Sequence, residues 1–405
     1  MPLQKKSFDP ASSGPLAGIR VLDFSRLMAG NMLSLQLADF GAEVVKVEVP
    51  GSGDTLRDWK ANGVSAHWKV YCRNKKSITL NLKSPEAPGI ILDLVAQFDV
   101  MLESFRHHYL EHLGVGPERL LAANPRLILV RVSGFGQTGP YAGRPGFGTL
   151  VEAMSGFAAR NGFEDREPVL PPLALADMVA GLSGAMATLA AVREIEVRGG
   201  RGQVIDVSLL DPMVSILGPD ALVYRLTHEI RRRVGSSSEG SSPRNVYATS
   251  DGGWVAISAS TQAMTERLFR AIGRDDLNSN PDFRNNAERV KHRDEVDRII
   301  GGWIRERTLK DNIAFFEREG VTAGPVYDIA QFLEDPHVQE RGIVVEVPDE
   351  ELGEVEMHDV VPRLSGTPGT LRTPAPSIGQ HNDEIYGRTG YSADRIATLR
   401  AANII

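Results

Sequence analysis

The chain contains one cysteine, Cys72, so no intrachain disulfide can form, and a cysteine-based metal site, which needs several such ligands, has no basis. A reducing, cytoplasmic compartment is the expectation. Positive charge is not in excess: 45 Lys+Arg against 52 Asp+Glu leave a net charge of −7, and without a global positive field nucleic acid is not an expected partner. No apolar run reaches the roughly 18 uninterrupted residues of a membrane span. The first residues, MPLQKKSFDPASSGPLAG, lack the apolar centre of a signal peptide, so neither secretion nor membrane insertion is expected. The sequence also has no G-x-x-x-x-G-K-[ST] and no G-x-S-x-G, which removes the main support for a P-loop or a serine hydrolase.

What is present is a chain of 405 residues, 42% hydrophobic, with 40 glycines and 24 prolines scattered at element junctions. That length allows two domains, and the scatter suits an α/β protein with many turns. Short apolar runs at 18–23 and 43–48 flank a helical stretch at 29–40, which reads as a β-α-β unit. The alternation continues with strands at 77–82, 99–103 and 127–132 and helices at 89–97 and 118–123, implying a parallel sheet covered by helices. A long Ala/Gly-rich helix is expected at 176–197, a strand at 204–208 and a helix at 209–226. The Ser/Gly-rich, charged stretch 231–242 reads as a linker. A hairpin at 246–258 turning at 251–253 then opens a smaller α+β domain. Strand signals recur at 342–362, and a last helix lies near 392–402. The expected layout is residues 1–225 as the first part of a large domain, 226–243 as linker, 244–325 as small domain, and 326–405 as the return to the large one.

Several motifs have a dull reading beside a chemical one. Gly134-Phe-Gly136-Gln-Thr-Gly139 matches G-x-G-x-x-G, but Pro140 follows and no helix opens there, so the dinucleotide reading fails. His107, His108 and His112 lack the H-E-x-x-H order of a zinc helix, and a solvated loop is preferred. Arg231-Arg-Arg233 reads as solvated surface. Arg73-Asn-Lys75-Lys76, beside a strand of the sheet domain, is the better phosphate candidate. Asp177 stands between Pro171-Pro172 and the long Ala/Gly helix. From position alone it reads as a helix N-cap, with a reactive carboxylate as the alternative.

Together the segments 15–25, 38–48, 50–54, 73–77, 134–140, 202–211 and Gly379-Gln-His-Asn382 resemble the family III CoA-transferases, with the α-methylacyl-CoA racemases as a related branch. The likeness spans nearly the whole chain. It implies a large Rossmann-like α/β domain, with its parallel sheet built from N- and C-terminal segments, plus a smaller α+β domain, in an interlocked homodimer. It further implies an acyl-CoA:carboxylate CoA-transferase with coenzyme A as substrate and no metal or redox cofactor. Asp177 matches the family nucleophile, which forms a mixed anhydride and then an aspartyl-CoA thioester.

Expected CoA contacts are Arg26, Leu80, Phe105, His112 and Phe135 from the resemblance, and Arg73, Lys75 and Arg106 from their charge. The chain departs from formyl-CoA transferase at Met28, where that enzyme has glutamine, and at Val49, where it has arginine. Racemases carry their catalytic histidine in G-H-D, whereas this chain reads Gly146-Phe147-Gly148. The family's glycine-rich loop of the small domain is matched by residues 257–262, without the glycines. Small dicarboxylates such as succinate, malate or mesaconate are the expected acids. The alternatives are a 2-methylacyl-CoA racemase and a non-catalytic acyl-CoA-binding protein.

Overall fold

The computed structural model describes residues 2–405, and the chain divides into two compact units. The first joins the chain up to Ser155 with residues 171–218 and 336–405; the second joins 156–170 with 219–335.

The first unit is organised by a six-stranded sheet. Its strands and the helices used below are β1 (Arg20–Asp23), α1 (Leu27–Asp39), β2 (Glu43–Glu48), β3 (Lys75–Thr79), β4 (Val100–Glu103), β5 (Ile128–Ser133), α2 (Gly148–Met154), α3 (Leu175–Arg198) and β6 (Gln203–Ser208). The strand order is β3-β2-β1-β4-β5-β6 and every pairing is parallel. β1 and β4 are buried along nearly their whole length, which explains their continuous apolar runs: a strand covered on both faces has no solvent side to mark with polar residues. Leu22, Val45, Ile78, Met101 and Leu129 join one core with Ile385, Tyr386, Ile396 and Leu399 of the chain's last two helices. The order reverses between β1 and β4, and in such sheets ligands bind beyond the carboxyl ends of the strands at that reversal.

Contrary to the expectation of a sheet built from both ends of the chain, the C-terminal segment contributes no strand to the parallel sheet. Its strand signals form a hairpin, Val344–Asp349 against Gly353–His358, which pairs with Gln4–Lys5 in a separate three-stranded sheet. What the segment gives β3 is an edge cover: Ser77 N–H donates to His381 Nδ1 (3.1 Å), Thr79 N–H to Asn382 Oδ1 (2.8 Å), and Tyr386 Oη–H to the Thr79 carbonyl (2.7 Å). The Gly379-Gln-His-Asn382 motif therefore satisfies an otherwise bare sheet edge.

The second unit holds an antiparallel sheet, Arg244–Ala248, Trp254–Ser258 and Ala323–Pro325, under helices whose Leu268, Phe269, Ile300 and Phe316 form its core. Residues 226–243 are part of this unit; Arg231 is held by Asp220 and Glu239, and Arg233 by the carbonyls of Phe163, Glu164 and Arg166. The single helix expected at 209–226 is two, Leu210–Ile216 and Asp220–Thr227. Gly218, at φ +75°, and Pro219 interrupt it, and a proline cannot continue the preceding helical turn.

Candidate active site

The turn from β1 into α1 is built from buried charge. Asp23 Oδ1 accepts from Ser25 N–H (2.8 Å) and Ser25 Oγ–H (2.5 Å), and its Oδ2 accepts from Ser34 (2.6 Å). Lys46, 0% exposed, reaches Asp23 at 3.4 Å and Asp54 at 3.1 Å and donates to the Ser25 carbonyl. Asp54 also accepts from Leu27 N–H (3.1 Å), Asn31 Nδ2 (3.0 Å) and Leu56 N–H (2.9 Å). Burial opposes the charge on Lys46, but Asp23 and Asp54 hold its proton above the ordinary lysine range. Burial likewise opposes the Asp54 charge, yet Lys46 and the surrounding N–H donors hold that carboxyl below its usual range. These bonds fix Leu27 at φ +59°, a conformation costly for a residue with a branched side chain. They set the first turn of α1 in place.

Against that turn packs α3. Its glycines allow close approach: a β-carbon at Gly181 would stand 2.8 Å from the Ala29 carbonyl, and one at Gly184 would stand 2.5 Å from Leu33 Cδ1. The helix is long and apolar enough to cross a membrane by length and composition, but here it packs along α1.

Asp177 lies in the first turn of α3. It is not the N-cap expected from position: Ala174 occupies that place, without a side-chain cap, and the helix begins at Leu175. Burial pushes the Asp177 carboxyl up to about 6, and the negative charge of Glu152 pushes in the same direction. Hydrogen bonds from its own N–H and from Ala29 N–H oppose the rise. On the other side stands α2, whose Gly148 leaves space for the carboxylate; a β-carbon there would be 2.4 Å from Oδ2. The result is a partly buried carboxylate, retained next to N–H donors, with its proton affinity raised. Such a group is suited to nucleophilic attack near neutral pH.

The expected CoA contacts separate by place. Arg26, exposed, caps α1 after β1, and its N–H donates to Ser104 Oγ after β4 (3.0 Å). Phe105 and Arg106 follow β4, with the Phe105 ring 6.1 Å from that of Phe24 and 4.8 Å from that of Tyr109. His112 is exposed on the next turn, and Phe135, after β5, meets Tyr141 edge-on at 5.8 Å. All five therefore stand beyond carboxyl ends of adjacent strands, as Asp177 does beside the start of α1.

Arg73 and Lys75 do not. They lie at the amino end of β3 and are buried: Arg73 pairs with Asp39 at 2.7 Å and donates to the His358 carbonyl, while Lys75 donates to Asn31 O (3.0 Å) and Oδ1 (3.1 Å). Both cations are spent inside the protein and are withdrawn as phosphate partners. Leu80 is also buried, its side chain in the core of the sheet. Among the described residues no group of three or more His, Cys, Asp and Glu is placed to hold a metal, His107, His108 and His112 included.

Residues 257–262 end a strand and begin a helix, with Thr261 accepting from Met264 N–H as its cap. Phe147, where racemases carry histidine, is 64% exposed at the cap of α2 and has no proton to exchange. Glu152 was not singled out from sequence. It sits on a seven-residue helix, and nothing in its spacing links it to α3.

The sequence matches CoA-transferase family III over residues 16–382. It is 40% identical over 395 residues to succinyl-CoA–D-citramalate CoA-transferase of Chloroflexus aurantiacus, covering 96% of this chain and 98% of that one. It is 33% identical over 391 residues to succinate–glutarate CoA-transferase of Agrobacterium fabrum, covering 93% and 96%. The crystal structure of a CaiB/BaiF family protein from Brucella suis superposes with a TM-score of 0.82 at 29% identity, covering 93% of this chain and all of that one, 100%. The fold and the site thus define an enzyme that acts on coenzyme A thioesters. The chain belongs to CoA-transferase family III and is a CoA-transferase.

Proposed function

We propose that this enzyme moves coenzyme A between small dicarboxylic acids, of the succinyl-, malyl- or mesaconyl-CoA type, with Asp177 as nucleophile. The observation that carries this reading is the Asp177 carboxylate itself: partly buried, raised to about 6, and given clear space by Gly148. The substrate class is supported by relatives named for succinyl-CoA with D-citramalate or L-malate and for succinate with glutarate.

Asp177 attacks the thioester carbonyl; the new C–O bond forms as the C–S bond breaks, giving a mixed anhydride and CoA thiolate. The thiolate then attacks the aspartyl carbonyl, releasing the first acid as carboxylate and leaving an aspartyl-CoA thioester. The second acid reverses the sequence. Each step passes through an oxyanion, which N–H donors can stabilise. No electron is gained or lost, so the exchange requires no redox cofactor. Arg26, Phe105, Arg106, His112 and Phe135 are the CoA contacts of this reading. A cytoplasmic homodimer completes it, supported by Leu182, Met186 and Leu189, which α3 leaves exposed as an apolar face suited to a second copy.

Incubation with succinyl-CoA followed by hydroxylamine or borohydride should modify Asp177. An unmodified Asp177 together with full activity in Asp177→Ala overturns the assignment.

A further inference from the structure

The face of α2 that meets Asp177 carries two residues one helical turn apart, Gly148 and Glu152, both buried. Gly148 leaves space. Glu152, 3% exposed, points a carboxylate at the same turn of α3, where its Oε1 accepts the N–H of Ala176 at 3.0 Å. A second carboxylate has therefore been fixed beside the residue that precedes Asp177, in a place where burial makes any unrelieved charge costly.

We propose that Glu152 is a positioning residue for the transfer reaction, one that holds the first turn of α3 by its bond to Ala176 and sets a negative charge against the free Asp177 carboxylate. The proposal rests on Asp177 being the nucleophile. In the free enzyme the Glu152 charge acts on the Asp177 carboxylate from beside Ala176. When Asp177 attacks, its charge leaves with the CoA sulfur; when thiolate attacks the anhydride, the charge leaves with the departing acid. Both covalent intermediates hold Asp177 neutral, so the repulsion exists in the free enzyme alone. Glu152 then favours loading of the enzyme without favouring one intermediate over the other, and it asks for no proton in any step.

Charge elsewhere does not supply this. Glu152 is the one charged residue of α2, and α3 has none but Asp177 in its first two turns. Arg26 on α1, Asp206 on β6 and Asp211 in the helix Leu210–Ile216 stand on neighbouring elements, but the charge acting on Asp177 through space is that of Glu152.

The test is Glu152→Gln, which keeps an oxygen for Ala176 N–H and removes the charge. With succinyl-CoA and succinate at a fixed ratio, the fraction of enzyme standing as aspartyl-CoA thioester, read by intact mass after borohydride, should fall about tenfold relative to free enzyme, and the acidic limb of the loading rate should move down by about one pH unit. An unchanged thioester fraction with an unchanged limb overturns the proposal, because a merely structural role moves neither in this way. Should Glu152→Gln fail to fold, ¹³C carboxylate titration of the wild-type enzyme decides: Asp177 and Glu152 titrating as a coupled pair support the role, and independent titration removes it. Absence of thioester on wild-type Asp177 marks failure of the nucleophile assignment instead.

Discussion

The Asp177 carboxylate rests against the bare α-carbon of Gly148, where a β-carbon would stand 2.4 Å from Oδ2. Glycine at 148 is thus a requirement of the neighbouring carboxylate, since its helical backbone would accept alanine. Gly148→Ala should lower kcat/KM by about 100-fold, the scale expected when a reacting group is displaced by about an ångström. Gly143→Ala, in the loop that precedes α2 and with nothing within 4 Å of its β-carbon, should leave steady-state kinetics unchanged. Equal effects at both positions would refute the steric account.

Asp177 should also weaken the fold. Its pKa is raised to about 6, above that of an unfolded aspartate, so the native state disfavours the charge and the penalty is fully present above pH 6. It disappears as pH falls toward about 4. Asp177→Asn should therefore raise stability at pH 8 by about 1–2 kcal/mol, discounted for partial exposure, and give no gain at pH 4. Urea unfolding at the two pH values measures this, and a gain of equal size at both would contradict it.

The Lys46 cluster is the opposite case. Lys46→Met leaves Asp23 and Asp54 buried without their cation, and removing one partner of a buried ion pair costs about 3–5 kcal/mol. The Asp54 pKa is lowered, so its contribution is present above the unfolded value and lost as pH falls through the native one. The gap between wild type and Lys46→Met should accordingly narrow below about pH 4. A gap independent of pH would show that packing, and not charge, dominates there.

Asn382→Ala should expose the β3 edge, since Asn382 accepts from Thr79 N–H at 2.8 Å and donates to Thr79 Oγ1 at 2.8 Å. Leaving these buried groups unpaired costs about 1–3 kcal/mol. Amide exchange at Thr79 should accelerate, while amides of β4, three strands inward, should change only through global stability.

How far the sequence spoke depended on the range of the interaction. Strand 43–48 was legible to the residue because both its faces are buried, and the long helix was legible from its Ala and Gly content. Partnership was not. The strand signals after 342 were visible, but nothing local says that they pair with Gln4–Lys5 and not with the parallel sheet. Arg73 and Lys75 read as phosphate partners because their actual partners, Asp39 and Asn31, stand 34 and 44 positions earlier. Asp177 could be named through resemblance, whereas Glu152 could not, since its bond to Ala176 spans 24 positions between two separate helices. Gly218-Pro219 was a readable helix break that the apolar pattern on either side concealed.

The cover on β3 has a consequence for the order in which the protein is made. Thr79 waits for Asn382, which is translated 303 residues later; at ordinary elongation speeds that is roughly 15 to 60 s. During that interval the nascent sheet has one unsealed margin, available to any extended segment nearby. A ribosome-bound chain is then exposed to mispairing at a site the finished protein conceals.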